Sequence, residues 1–148
     1  MLDCIKNNAS SEYVKSINLF VDDPNCLKIL KDHLGELHSK IKYASIGKQP
    51  KYSDLFYFAN YLNNEICMVT NSDIWIKEIK DFSIFNKLKS NNGKTALALS
   101  RHEHDMSCPM IDNFCGSHDA FIFTSPISQN IIDSCDHPQN LLGAENVV

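Results

Sequence analysis

The sequence lacks long apolar runs, basic clusters and a secretory signal. No apolar stretch approaches the roughly 20 residues that a membrane-spanning helix needs, and the N-terminus, MLDCIKNNASSEY, lacks a basic and then apolar leader. With a formal charge of -4, the chain also lacks the positive surface that holds nucleic acid regardless of its sequence. We therefore expect a cytoplasmic protein without a membrane span and without a nucleic-acid partner.

Paired cysteines, repeats and linkers are missing as well. The six cysteines do not show the spacing of a disulfide framework, and without a secretory signal we expect free thiols. They are Cys4, Cys26, Cys67, Cys108, Cys115 and Cys135. At 148 residues the chain is long enough to bury one core, and we expect a single domain over residues 1–148.

What the chain does contain is an alternation of short apolar runs and helical patterns. Strands are predicted at 17–21, 41–46, 65–70, 95–100 and 120–123, and helices at 2–8, 24–37, 52–62 and 79–88. Helices that join parallel strands cover both faces of a sheet. This order therefore predicts an α/β, Rossmann-like fold with a mostly parallel central sheet and helices on both faces.

The segment ICMVTNSDIWI, residues 66–76, places a carboxylate directly after the most apolar predicted strand. In open α/β sheets, ligands bind beyond the carboxyl ends of the strands. Asp73 at such an end could hold a hard divalent cation that neutralises a diphosphate. The residues alone support equally well a second interpretation, in which Asp73 caps the following turn.

A second acidic motif, Gly116-Ser117-His118-Asp119, precedes the apolar run AFIF. Asp119 could act as a general base, with His118 orienting a substrate. The alternative is an ordinary turn in which Asp119 is a cap.

The segment between TALALS and AFIF is rich in potential ligands. Arg101 could bind a phosphate or form a surface ion pair. A structural zinc site is a further alternative, although the spacing matches no standard ligand pattern. Its candidate ligands are His102, His104, Cys108, Cys115 and His118.

Taken in order, several segments resemble one known family. They are CIKNNASSEYVKSINLFVDD, IKYASIGKQPKYSDLFYFANYL, NEICMVTNSDIWI, TALALSRHE, GSHDAFIF and LLGAEN. They resemble the nucleotide-diphospho-sugar transferase-like proteins of glycosyltransferase A-type fold, across nearly the whole chain. We expect a short member that lacks the N-terminal strand with which relatives hold the nucleotide base.

The resemblance implies a glycosyltransferase that moves a sugar from a nucleotide-diphosphate sugar to an unknown acceptor. It implies that Asp73 binds a divalent metal, manganese or magnesium, and that Asn71 contacts the ribose or a phosphate. Asp119 would be the catalytic acid or base on the acceptor side, next to Ser117 and His118 as substrate-binding residues.

Two further substrate contacts follow from the same resemblance. Arg101 matches a recurrent Arg after the preceding strand, and Glu145-Asn146 resembles an acid-Asn pair that closes the site. The alternative function is a non-catalytic binding or interaction module of the same fold. Such a module would leave an apolar sheet edge open, to be covered by a partner chain.

Overall fold

The protein is described by a computed structural model over residues 1–34, 39–91, 94–99 and 118–137. The chain forms two compact units. The first unit contains Met1–Pro50 and Ser72–Ile79, and the second unit contains Lys51–Asn71 and Lys80–Val148. The chain therefore leaves the first unit after Pro50, returns to it at Ser72 and leaves it again after Ile79.

The first unit is built on a pair of parallel strands. Its elements are α1 (Leu2–Ser10), β1 (Ile17–Val21), α2 (Pro24–Leu34) and β2 (Ile41–Ser45). β1 pairs with β2 in parallel, as expected for two strands joined by a helix. The buried core of this unit consists of Ile5, Ala9, Val21, Leu30, Leu34 and Ile41.

The second unit is built on a three-stranded antiparallel sheet in the order β3-β5-β4. Its elements are α3 (Tyr52–Asn60), β3 (Ile66–Thr70), α4 (Ser83–Ser90), β4 (Ala96–Leu99), β5 (Ala120–Thr124) and α5 (Gln129–Ser134). Aromatic rings from α3 and β5 form much of its core. The ring centroids of Phe56 and Phe123 lie 5.3 Å apart, and Phe123 is only 1% exposed.

The predicted Rossmann-like fold with one mostly parallel central sheet is wrong. The described strands form a two-stranded parallel sheet and a separate three-stranded antiparallel sheet. β3 and β4 run in the same direction, as the helix between them favours, but β5 lies between them and runs the opposite way. Apolar periodicity locates a strand without specifying its partner or direction, and for this reason the sheet was mispredicted.

An asparagine side chain holds irregular backbone in each unit. The Asn60 amide donates to the Ile127 carbonyl at 2.9 Å and accepts from the Ile127 N–H at 2.9 Å. In the first unit, Asn8 donates to the Ile74 carbonyl and accepts from the Ile76 N–H, both at 2.9 Å. These helix-borne amides therefore satisfy backbone groups that no strand pairs.

Replacing Asn60 with Ala should lower the free energy of unfolding by about 1–3 kcal/mol, because two partly buried backbone groups of Ile127 lose their partner. Urea unfolding followed by circular dichroism measures this change. Asn63→Ala is the matched control, since this exposed residue makes no hydrogen bond among the described residues. Equal stability of the two variants would contradict the assigned role of Asn60.

Candidate functional site

The structure brings Asn71 and Asp119 together at one end of the three-stranded sheet. Thr70, the last residue of β3, lies opposite Ala120, the first residue of β5. The Thr70 hydroxyl donates to the Asp119 carbonyl oxygen at 2.9 Å, and the Asn71 N–H donates to the same oxygen at 3.4 Å. The turn after β3 and the acid before β5 are therefore neighbours.

β4 holds Asp119 from the other side. The Asp119 N–H donates to the Leu99 carbonyl at 3.2 Å, so both backbone groups of Asp119 are bonded, each to a different neighbouring strand. The residue is 8% exposed. The backbone of this acidic residue is therefore fixed in position by both neighbouring strands.

His118 lies directly before Asp119 and contacts the aromatic core. It is half-buried, and its ring centroid is 6.5 Å from that of Phe121, with the two ring planes tilted by 45°. Phe121 in turn makes an edge contact with Tyr52 at 5.9 Å. The imidazole is thus supported on one side by the packed interior of the second unit.

Asp73 belongs to the first unit and is exposed. Its backbone carbonyl accepts a hydrogen bond from the Cys4 thiol at 3.0 Å, and the bonds from Asn8 fix the residues that follow it. Its carboxylate makes no hydrogen bond or ion pair among the described residues, so the predicted capping alternative has no bond to support it there.

The described residues do not form a metal site made only of protein ligands. Across 1–34, 39–91, 94–99 and 118–137, no group of three or more His, Cys, Asp or Glu side chains could hold a metal ion. Magnesium, however, is often held by one or two carboxylates together with the phosphates of a substrate. Among the described residues, Asp73 is compatible with this second arrangement.

Several predicted site residues lie outside the described residues. They are Arg101, Ser117, Glu145 and Asn146, together with the zinc candidates His102, His104, Cys108 and Cys115. Their roles stay predictions from the sequence.

The second unit has a groove of about 400 Å³ that the sequence did not predict. It is lined by Ser53, Asp54, Tyr57, Gln129, Ile132, Asp133 and Asp136. Its residues come from α3, from α5 and from the turn after α5. Helical periodicity could not reveal it, because nothing local indicates that these two helices pack together.

The carboxylates of this groove bond to neighbouring groups. Asp136 accepts from the Lys51 ammonium at 2.7 Å and from the Ser53 hydroxyl at 2.8 Å, and Asp133 accepts from the Gln129 amide at 2.8 Å. Asp54 accepts from the Lys51 N–H at 3.0 Å, which caps α3. The acidic character of the groove therefore serves to join and cap helices.

Two buried cysteines in the second unit are poor nucleophiles. Burial raises the pKa of the Cys67 thiol, and a hydrogen bond with Ser125 offsets only part of this effect. Burial likewise raises the pKa of Cys135, against a smaller opposite effect from Ser134. Since the thiolate is the reactive form, neither side chain is suited to covalent catalysis.

No helix within the described ranges has the length and apolar character to cross a membrane. Comparison with known proteins finds no matching family model, no matching curated protein and no matching solved structure. The family resemblance therefore rests on the ordered motifs of the sequence alone.

Lys51→Met should raise the pKa of Asp136 toward its ordinary value. Hydrogen bonds from Lys51 and then Ser53 lower this pKa in the folded protein. The stabilisation from this pair is therefore present above the unfolded pKa of about 3.9 and is lost as the pH falls through the folded pKa. NMR titration of the Asp136 carboxyl carbon measures the shift. Lys80→Met should leave this pKa unchanged, and an unchanged pKa in Lys51→Met would contradict the ion pair.

Proposed function

We propose that the chain is a glycosyltransferase that uses a nucleotide-diphosphate sugar. The observation that carries the proposal is the contact between Asn71 and Asp119, which brings two motifs that are distant in the sequence to one sheet end. Because β3 lies in an antiparallel sheet, the rule that ligands bind beyond the carboxyl ends of parallel strands does not apply to it. The proposal depends instead on this contact and on the order of the motifs.

In an inverting transfer, Asp119 would act as the general base. Its carboxylate would accept the proton of the acceptor hydroxyl while the acceptor oxygen bonds to the anomeric carbon and the nucleoside diphosphate departs. The low exposure of Asp119, 8%, strengthens electrostatic interactions around the carboxylate, because little water screens them. His118 would orient the substrate, and the Asn71 amide would bond to the ribose or a phosphate.

A divalent cation, manganese or magnesium, is part of the proposal, with Asp73 as its protein ligand. When bound with the donor, such an ion supplies positive charge that neutralises the departing diphosphate. The exposed carboxylate of Asp73 has no bond to another described residue that a cation would need to displace. Arg101, Ser117, Glu145 and Asn146 are proposed as further substrate contacts on the resemblance alone.

The cytoplasm is the proposed compartment. Cys4, Cys26, Cys67 and Cys135 are free thiols, which suits a reducing environment.

Calorimetry with nucleoside diphosphates and Mn²⁺, followed by a nucleotide-sugar turnover assay, tests the proposal. Asp73→Asn should weaken Mn²⁺-dependent nucleotide binding by about tenfold or more, since one ligand charge is lost. Asp119→Asn should bind the nucleotide normally and lower turnover by about 10²–10⁴-fold.

Asp32→Asn on the exposed face of α2 is the matched control and should alter neither quantity. The proposal fails if no nucleoside diphosphate binds in the presence of Mn²⁺ and Asp73→Asn changes nothing.

One observation favours the second candidate, a non-catalytic interaction module. Ala96, Ala98 and Leu99 of β4 are exposed, and among the described strands β4 pairs only with β5. An exposed apolar edge can accept a strand from a partner chain. A chain with this function would bind a partner and no nucleotide, so the calorimetry distinguishes the two candidates.

A further inference from the structure

A cavity of about 350 Å³ lies at the end of the three-stranded sheet opposite Asp119, where β3 begins and β5 ends. It is lined by Asn64, Lys89, Thr124, Ser125 and Pro126. All five residues belong to the second unit. We infer that this cavity binds a small oxyanion, the phosphoryl or carboxylate group of a ligand, independently of the proposed transfer activity.

The wall of the cavity contains a buried threonine hydroxyl. Thr124 is 5% exposed, and its Oγ1 atom is buried and makes no hydrogen bond in the part of the chain that the structure describes. Buried polar groups are nearly always hydrogen-bonded, because leaving one unpaired costs free energy. Because Thr124 lines the adjacent cavity, we expect an anion there to accept the proton of this hydroxyl after the side chain rotates about its Cα–Cβ bond.

The described lining of the cavity carries a positive charge and no negative one. Lys89 supplies an ammonium group from the last turn of α4 and has no ion pair among the described residues. The side-chain amide of Asn64 likewise has no hydrogen bond among them. An ammonium, an amide and a hydroxyl can all donate, and the described lining includes no carboxylate. This combination favours a negatively charged ligand.

Hydrogen bonds hold the backbone of the cavity wall in place. The Asn64 N–H donates to the Ser125 carbonyl at 2.9 Å, and the Ser125 N–H donates to the Glu65 carbonyl at 3.0 Å. Asn64 has a positive φ of 64°, a left-handed conformation that asparagine tolerates better than most residues. The side chains of Asn64 and Thr124 are thus presented from fixed positions.

Lys89 also has an ordinary structural role that the test must separate from binding. Lys87 and Lys89 both lie in the last turn of α4, where either charge offsets the negative end of the helix dipole. Only Lys89 lines the cavity. Lys87→Met is therefore the matched control for Lys89→Met.

Thermal unfolding of the full chain in sodium phosphate, sodium acetate and sodium chloride at equal ionic strength tests the inference. We expect a saturable rise in melting temperature with phosphate, with acetate or with both. Phosphate also stabilises proteins generally by exclusion from their surface, so the decisive quantity is the difference between variants. Lys89→Met and Thr124→Val, which keeps the shape of the side chain, should each lose the saturable rise, and Lys87→Met should keep it.

A response to phosphate alone identifies a phosphoryl ligand, and a response to acetate alone identifies a carboxylate. The inference is overturned if neither anion gives a saturable rise, or if Lys89→Met responds as the wild type does. If Thr124→Val fails to fold, the comparison of Lys89→Met with Lys87→Met decides the question by itself.

Discussion

The antiparallel pairing of β3 with β5 is the interaction on which the second unit depends. It places the buried residues Phe121 and Phe123 of β5 against the aromatic side chains of α3, where Phe56 contacts both rings. A slip of one residue in this pairing would turn the two phenylalanines away from the core. The same slip would separate Asn71 from Asp119. Burial of apolar side chains thus sets the geometry of the candidate site.

This register also creates two sheet ends with different chemistry. At one end, the Asp119 backbone bonds to β3 and β4, and its carboxylate is the proposed base. At the other end, Ile66 lies opposite Thr124, and the cavity beside Thr124 contains Lys89. One end therefore carries an acid, and the other carries an ammonium group and hydrogen-bond donors. The segment after Asp73 is held separately in the first unit, by the amide of Asn8.

Local pattern predicted most elements, because strand and helix periodicities are properties of a few neighbouring residues. The strand at Ile17–Val21 and the helix that begins at Pro24 are examples. The sheet was mispredicted because strand pairing is a long-range property, and the insertion of β5 between β3 and β4 leaves no local signal. The ion pair of Lys51 with Asp136 could not be predicted from the sequence either, since it forms only when α3 and α5 pack together. Spacing also could not reveal that Asn71 and Asp73, two positions apart, belong to different units.

The most direct test of the central claim asks whether a nucleotide binds beside Asn71 and Asp119. The chemical shifts of the backbone amides, recorded with and without a nucleoside diphosphate and Mg²⁺, report this. The proposed function predicts large shift changes at Asn71 and Asp119 and small changes at Ile132, which is buried in α5. Shift changes at Asn71 and Asp119 that are no larger than the change at Ile132 would contradict it.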